Sequence, residues 1–141
     1  MMTRRKAREN AFIAVFEASF SANDLDDVLA VTQELPEYEE YMLDKFALNL
    51  IKTYYDHADE VNEMIQSKLK NWSSNRISRV CSAILRLSAA EMMFSPEDMD
   101  SVIINEAVEM AKLYGTDDSA KYVNAILGKV AANCTKTNEE A

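Results

Sequence analysis

The chain has 141 residues, 48% of them hydrophobic and 28% charged, with a formal net charge of -9 and only two Gly and two Pro. That length suits one domain able to bury about two-thirds of its unfolded surface, and so few turn formers exclude a fold built on many tight β-turns, so an all-α fold is expected. No apolar run approaches the ~20 residues of a membrane span, the cationic start has no apolar signal core, and the lone thiols Cys81 and Cys134 match no CxxC pattern and suit a reducing cytoplasm.

Thr3 is a natural N-cap for a first helix running to about Ser21. Its first turns carry Arg4, Arg5, Lys6 and Arg8, and its later turns place Ala11, Phe12, Val15, Phe16 and Phe20 at helical spacing. The basic cluster is therefore expected on a rigid helix that enters the core, with its charges in a fixed geometry. Asn23-Asp24 signals a short helix through Leu35, which Pro36 ends. Leu43, Phe46, Ala47, Leu50, Ile51 and Tyr54 then form one face of an amphipathic helix. Residues 56–59 interrupt it, with His57 expected at a helix end, and Val61, Met64, Ile65 and Leu69 resume the spacing. Trp72 reads as an anchor and Ser73-Ser74-Asn75 as a cap cluster.

The stretch Arg76 to Phe94 is apolar around most of its circumference, with Ile77, Val80, Ile84, Leu87 and Glu91 on one face and Leu85, Ala89 and Met92 on another. Such a helix is surrounded by others, so it is expected to be the central strut. A loop at residues 95–98 leads to a helix capped by Asp100 or Ser101, with Ile103, Ile104, Ala107, Val108 and Ala111 inward and Gly115 as its C′ residue. Thr116-Asp117-Asp118-Ser119 opens the last helix, carrying Tyr122, Val123, Ile126, Leu127 and Val130. Residues 1–134 are expected to form a single domain and the polar residues 135–141 to fray.

The charge is unevenly spread. Residues 1–22 carry +2, residues 23–67 carry -10 and residues 68–141 carry -1. The acidity thus lies in the middle of the chain, and the basic start is not masked by its neighbours in sequence. The acidic middle suits a basic partner protein; a solvated helical face is its ordinary reading.

Little points to catalysis or to a cofactor. One histidine does not make a His-based metal cluster, and no acidic pair has EF-hand or zinc spacing. Two isolated glycines exclude a Gly-rich phosphate loop, and there is no GxSxG elbow. Cys81, on an apolar helix, reads as an inert thiol, and the methionines read as core filling. What remains joins the two ends. Arg4, Arg5, Lys6 and Arg8 contact phosphates, Tyr122 stacks on an unpaired base, Lys121 adds charge, and Asp118 accepts hydrogen bonds from base amino groups at a helix start. Cations, an aromatic and a polar acceptor suit single-stranded RNA. Tyr122 in the core and Asp118 as a plain cap are the competing readings. The composite site requires the first and last helices to lie side by side.

Three stretches carry a resemblance: RRKARENAFIAVF (4–16), WSSNRISRVCSAILRLSAAEM (72–92) and VIINEAVEMAKLYGTDDSAKYVNAILGKV (102–130). They resemble the NusB family of bacterial transcription antitermination factors, the third most specifically. The resemblance implies an all-α fold of about seven helices in two packed subbundles. It implies binding of the boxA element of ribosomal RNA operons together with NusE, a small-subunit ribosomal protein, so that RNA polymerase reads through terminators. The family's arginine-rich motif falls on Arg4, Arg5 and Arg8, and its RNA-contacting C-terminal motif on Asp118, Lys121 and Tyr122. Phe16 falls at an aromatic position implicated in the NusE contact, with core packing as its competing reading. Two departures stand out. Asn124-Ala125 replaces the usual Asn-Gly, and Cys81-Ser82 occupies positions where charges are common. The resemblance leaves two further readings. One is an accessory domain like that preceding the catalytic domain of some ribosomal RNA cytosine methyltransferases, a reading not expected for a chain of 141 residues. The other is a self-associating helical scaffold, a homodimer, since some relatives dimerise.

Overall fold

A computed structural model of the chain describes residues 3–20, 43–69, 78–94 and 99–140, the side chains of 18–20 and 134–140 excepted. The described residues form six helices and no strand: α1 (Arg4–Phe20), α2 (Lys45–Asp56), α3 (Ala58–Ser67), α4 (Arg79–Phe94), α5 (Asp100–Tyr114) and α6 (Asp117–Glu140). The all-α expectation holds. The helix expected over residues 23–35, the Trp72 anchor, the cap cluster at 73–75 and the loop at 95–98 lie outside the described residues.

The helix starts follow side-chain chemistry. Thr3 caps α1, its hydroxyl accepting from the Lys6 N–H at 3.1 Å and its carbonyl from the Ala7 N–H at 2.9 Å. Asp44 caps α2 through the Ala47 N–H at 2.8 Å, and Ser78 caps α4 through the Cys81 N–H at 3.1 Å. Each satisfies a backbone donor that the first helical turn leaves open. Thr116 caps α6 in the same way, accepting from the Ser119 N–H at 3.1 Å. At α5 the expected Asp100 or Ser101 is replaced by Met99, which makes no side-chain cap bond. Asp100 instead stands in the first turn, where a carboxylate suits the helix dipole.

His57 closes α2 and opens α3, which is the helix-end role expected of it. Its Nδ1 lies 3.0 Å from the Thr53 carbonyl oxygen, and its ring stacks on Phe94 at 3.9 Å between centroids. The α2–α3 joint is thereby pinned to the end of α4. Gly115 ends α5 with φ -121° and ψ -135°, not in the left-handed conformation expected of a C′ glycine. Space is the reason for glycine here: a Cβ would lie 2.9 Å from the Ala111 carbonyl oxygen and 2.9 Å from the Ser119 Oγ.

Helix α4 is the strut, packing against α1, α2, α3, α5 and α6. Ile84, Leu85, Leu87, Ala89 and Ala90 are almost fully buried on it, and each large aliphatic side chain so buried contributes about 1.5–3 kcal/mol. Two groups share this strut, α1–α3 and the pair α5–α6. Lys68, at the end of α3, reaches across to Asn133 on α6 at 2.6 Å. Helix α6 continues to Glu140 through the stretch expected to fray. No helix among the described residues is long and apolar enough to cross a membrane.

Candidate nucleic-acid interface

The four cations at the start of α1 take four different positions. Arg4 is exposed, and its guanidinium lies 4.2 Å from the centroid of the Phe46 ring on α2. Arg5 is exposed and bidentate on Glu106 of α5, Nε to Oε2 at 2.8 Å and Nη2 to Oε1 at 3.0 Å. The hydrogen bond and charge of Glu106 raise the Arg5 pKa above its ordinary value. Lys6 is half-buried. Arg8 is buried, only 4% exposed, and bidentate on Glu91 of α4 at 3.0 and 2.6 Å.

Burial of Arg8 corrects its expected place on the surface. Ala7, Ala11 and Phe12 are buried beside it, so its turn of α1 faces α4 and its head group must meet a carboxylate inside. Glu91, 1% exposed, supplies it. The motif thus divides into exposed Arg4 and Arg5, half-buried Lys6, and Arg8 locking α1 to α4. Glu106 offsets one outward charge, so the cluster's field is weaker than a count of cations suggests.

Asp118 and Lys121 are exposed on the first turns of α6. Tyr122 is buried at 7% exposure, which corrects its expected role as an exposed stacking platform. Burial pushes its phenol above the ordinary pKa, and nearby Cys81 adds to the shift. The spacing explains this: Tyr122 shares the inward face of α6 with Ile126 and Val130, both fully buried. Phe16 is half-buried, its ring 5.8 Å from that of Phe12.

The expected side-by-side contact of first and last helices is also corrected. Helices α1 and α6 both pack on α4, and α5 joins them, lying along α6 and reaching α1 through side chains. Arg5 meets Glu106, while farther along both helices Tyr114 donates a hydrogen bond to Glu9 and its ring lies 5.1 Å from that of Phe12. Helix α5 therefore runs in the same sense as α1, and Asp118 follows only four residues after Tyr114. The outward cations and the start of α6 are linked across α5.

Between α5 and α6 lies a groove of about 720 Å³. Ile104, Val108 and Ala120 form its apolar part, and Ser101, Asn105, Lys112, Asp117, Lys121 and Asn124 are polar groups along it. Sequence reasoning did not single out Phe46, Glu91, Glu106 or this groove. Glu91 alone left a signal, as a carboxylate on an otherwise apolar helix face. Among the described residues, no group of three or more His, Cys, Asp or Glu side chains is placed to hold a metal ion.

The family model for the NusB family matches residues 5–132. The transcription antitermination protein NusB of Oceanobacillus iheyensis is 35% identical over 131 residues, covering 93% of this chain and all of its own. A crystal form of T. maritima NusB is similar at TM-score 0.78 and 34% identity, covering 94% of this chain and 93% of its own. A NusB chain from a complex of NusB and NusE with double-stranded RNA matches at TM-score 0.77 and 23% identity, covering 92% of this chain and 96% of its own, a likeness that bears on the fold alone. By the family model and by a full-length relative at this identity, the chain belongs to the NusB family.

Proposed function

We propose that this chain is a non-catalytic RNA-binding transcription antitermination factor that binds boxA RNA of ribosomal RNA operons with NusE and promotes RNA polymerase read-through. Family membership and relatives that carry the antitermination name support the reading. The observation that carries it is the anchoring of Arg4 on Phe46 and of Arg5 on Glu106. Two outward guanidiniums held by other helices are organised before a ligand arrives, and less side-chain freedom is lost on binding.

Arg4, Arg5, Lys6 and Lys121 meet RNA phosphates, and Asp118 accepts hydrogen bonds from base amino groups. Arg8 and Tyr122 act from beneath this surface, Arg8 by fixing α1 on α4 and Tyr122 by seating α6. The exposed Asp56, Asp59, Glu60 and Glu63 offer a basic ribosomal protein a complementary charge. Phe16, half-buried, adds an apolar contact to NusE. The protein works in the cytoplasm, within the RNA polymerase antitermination complex. A homodimer is the competing use of its surfaces, and light scattering of the RNA-free protein separates the two.

Titration of labelled boxA RNA with and without NusE tests the reading. Tight binding that NusE strengthens is expected. RNA affinity equal to that of an unrelated acidic protein, with and without NusE, contradicts it.

A further inference from the structure

The α5–α6 groove includes Lys121, one of the cations placed against RNA phosphate. Its volume of about 720 Å³ lies within the range of small-ligand sites, roughly 300–1,000 Å³. Ile104 and Val108 are one turn apart and half-buried, and Ala120 faces them from α6. Asn105 and Asn124, both exposed, contribute from the two helices. Each amide both donates and accepts, as the edge of an unpaired base does. Lys121 brings a cation to the same groove.

We propose that this groove holds one unpaired nucleotide of the bound RNA, with its base against Ile104 and Val108, its edge read by Asn105 and Asn124, and its phosphate met by Lys121. The inference rests on the RNA-binding reading and names a base-reading site within it. Position supports it. Glu106, which holds Arg5, follows Asn105 directly, so the anchored arginine and the groove occupy neighbouring strips of α5. An RNA strand leaving Arg5 crosses α5 and reaches the groove. Chemistry favours a nucleotide over a partner helix. Amides from both helices and two lysines offer a base edge and a phosphate their hydrogen-bond partners, beside the Ser101 hydroxyl and the Asp117 carboxylate that also line the groove.

The test uses the full chain and labelled boxA RNA, intact or with a single abasic site moved along it. Asn105→Ala/Asn124→Ala changes only exposed side chains, so its helical CD spectrum should match the unchanged protein. In the unchanged protein one abasic position should weaken binding about tenfold, as loss of one seated base does. The double variant should bind intact RNA more weakly by a similar factor, lose sensitivity to that one abasic position, and keep its salt dependence. Full affinity of the double variant for intact RNA overturns the proposal, as does abasic sensitivity that is the same in both proteins. A variant that keeps RNA affinity and loses NusE overturns it too and gives the groove to the protein partner. If the unchanged protein does not bind the RNA, the functional reading falls and the groove assignment with it.

Discussion

Arg8 and Glu91 show how burial decides the role of a charged residue. A desolvated guanidinium is stable only beside its carboxylate, and each is costly without the other. Arg8→Ala and Glu91→Ala should each lower unfolding free energy by about 3–5 kcal/mol, measured by urea denaturation. Arg8→Met/Glu91→Leu, which removes both charges and keeps the volume, should recover most of that loss. Single variants as stable as the parent would show that the pair is not buried. Tyr122 gives a second residue-scale expectation. Its folded-state pKa is raised by burial, so the folded protein holds the phenolic proton more tightly than the unfolded chain. Stability is therefore full below the unfolded tyrosine pKa of about 10 and declines as pH rises above it. Tyr55, also raised by burial, adds to the same decline. Tyr122→Phe should reduce the alkaline loss seen in pH-dependent thermal melts, leaving the part due to Tyr55; an unchanged slope would place the phenol in solvent.

At the scale of elements, two glycines make a matched pair. Gly115 sits where a Cβ meets the Ala111 carbonyl, a backbone atom that cannot swing away, whereas nothing lies within 4 Å of a Cβ at Gly128 inside α6. Gly115→Ala should destabilise by about 1–3 kcal/mol through overpacking. Gly128→Ala should stabilise by about 0.5–1 kcal/mol, because alanine loses less backbone freedom in a helix. Thermal melts of the two variants should move in opposite directions. Removing the Asp44 cap should cost about 1 kcal/mol.

The elements were the legible part of the chain. Apolar spacing located α1, the α2–α3 break at His57 and the strut α4, since helical periodicity is written in consecutive residues. Pairing between helices is not local. Nothing near Arg8 in the sequence names Glu91, and nothing near Arg5 names Glu106. The basic cluster was therefore legible as charge, while its division into outward and buried members was not. Tyr122 was ambiguous for a related reason: an aromatic at the start of a helix's apolar repeat suits a core or a stacking platform equally, and only the packing of α6 on α4 decides.

At the scale of the whole molecule, the two halves of the proposed RNA surface meet through α5. This helix holds Arg5 at one edge and shares a groove with α6 at the other. The proposed surface runs over three helices, and a net charge of -9 does not exclude it because most of the excess acidity lies in residues 23–67. Outward arginines at the start of α1 carry the proposed RNA contact, and the salt dependence of boxA RNA binding tests them most directly. For single-stranded RNA each phosphate neutralised contributes about 0.7 to the slope of log affinity against log salt. Arg4→Ala/Arg5→Ala should bind more weakly and lower that slope by about 1.4, with an unchanged helical CD spectrum. Affinity and slope equal to those of the parent would contradict the placement of RNA on α1.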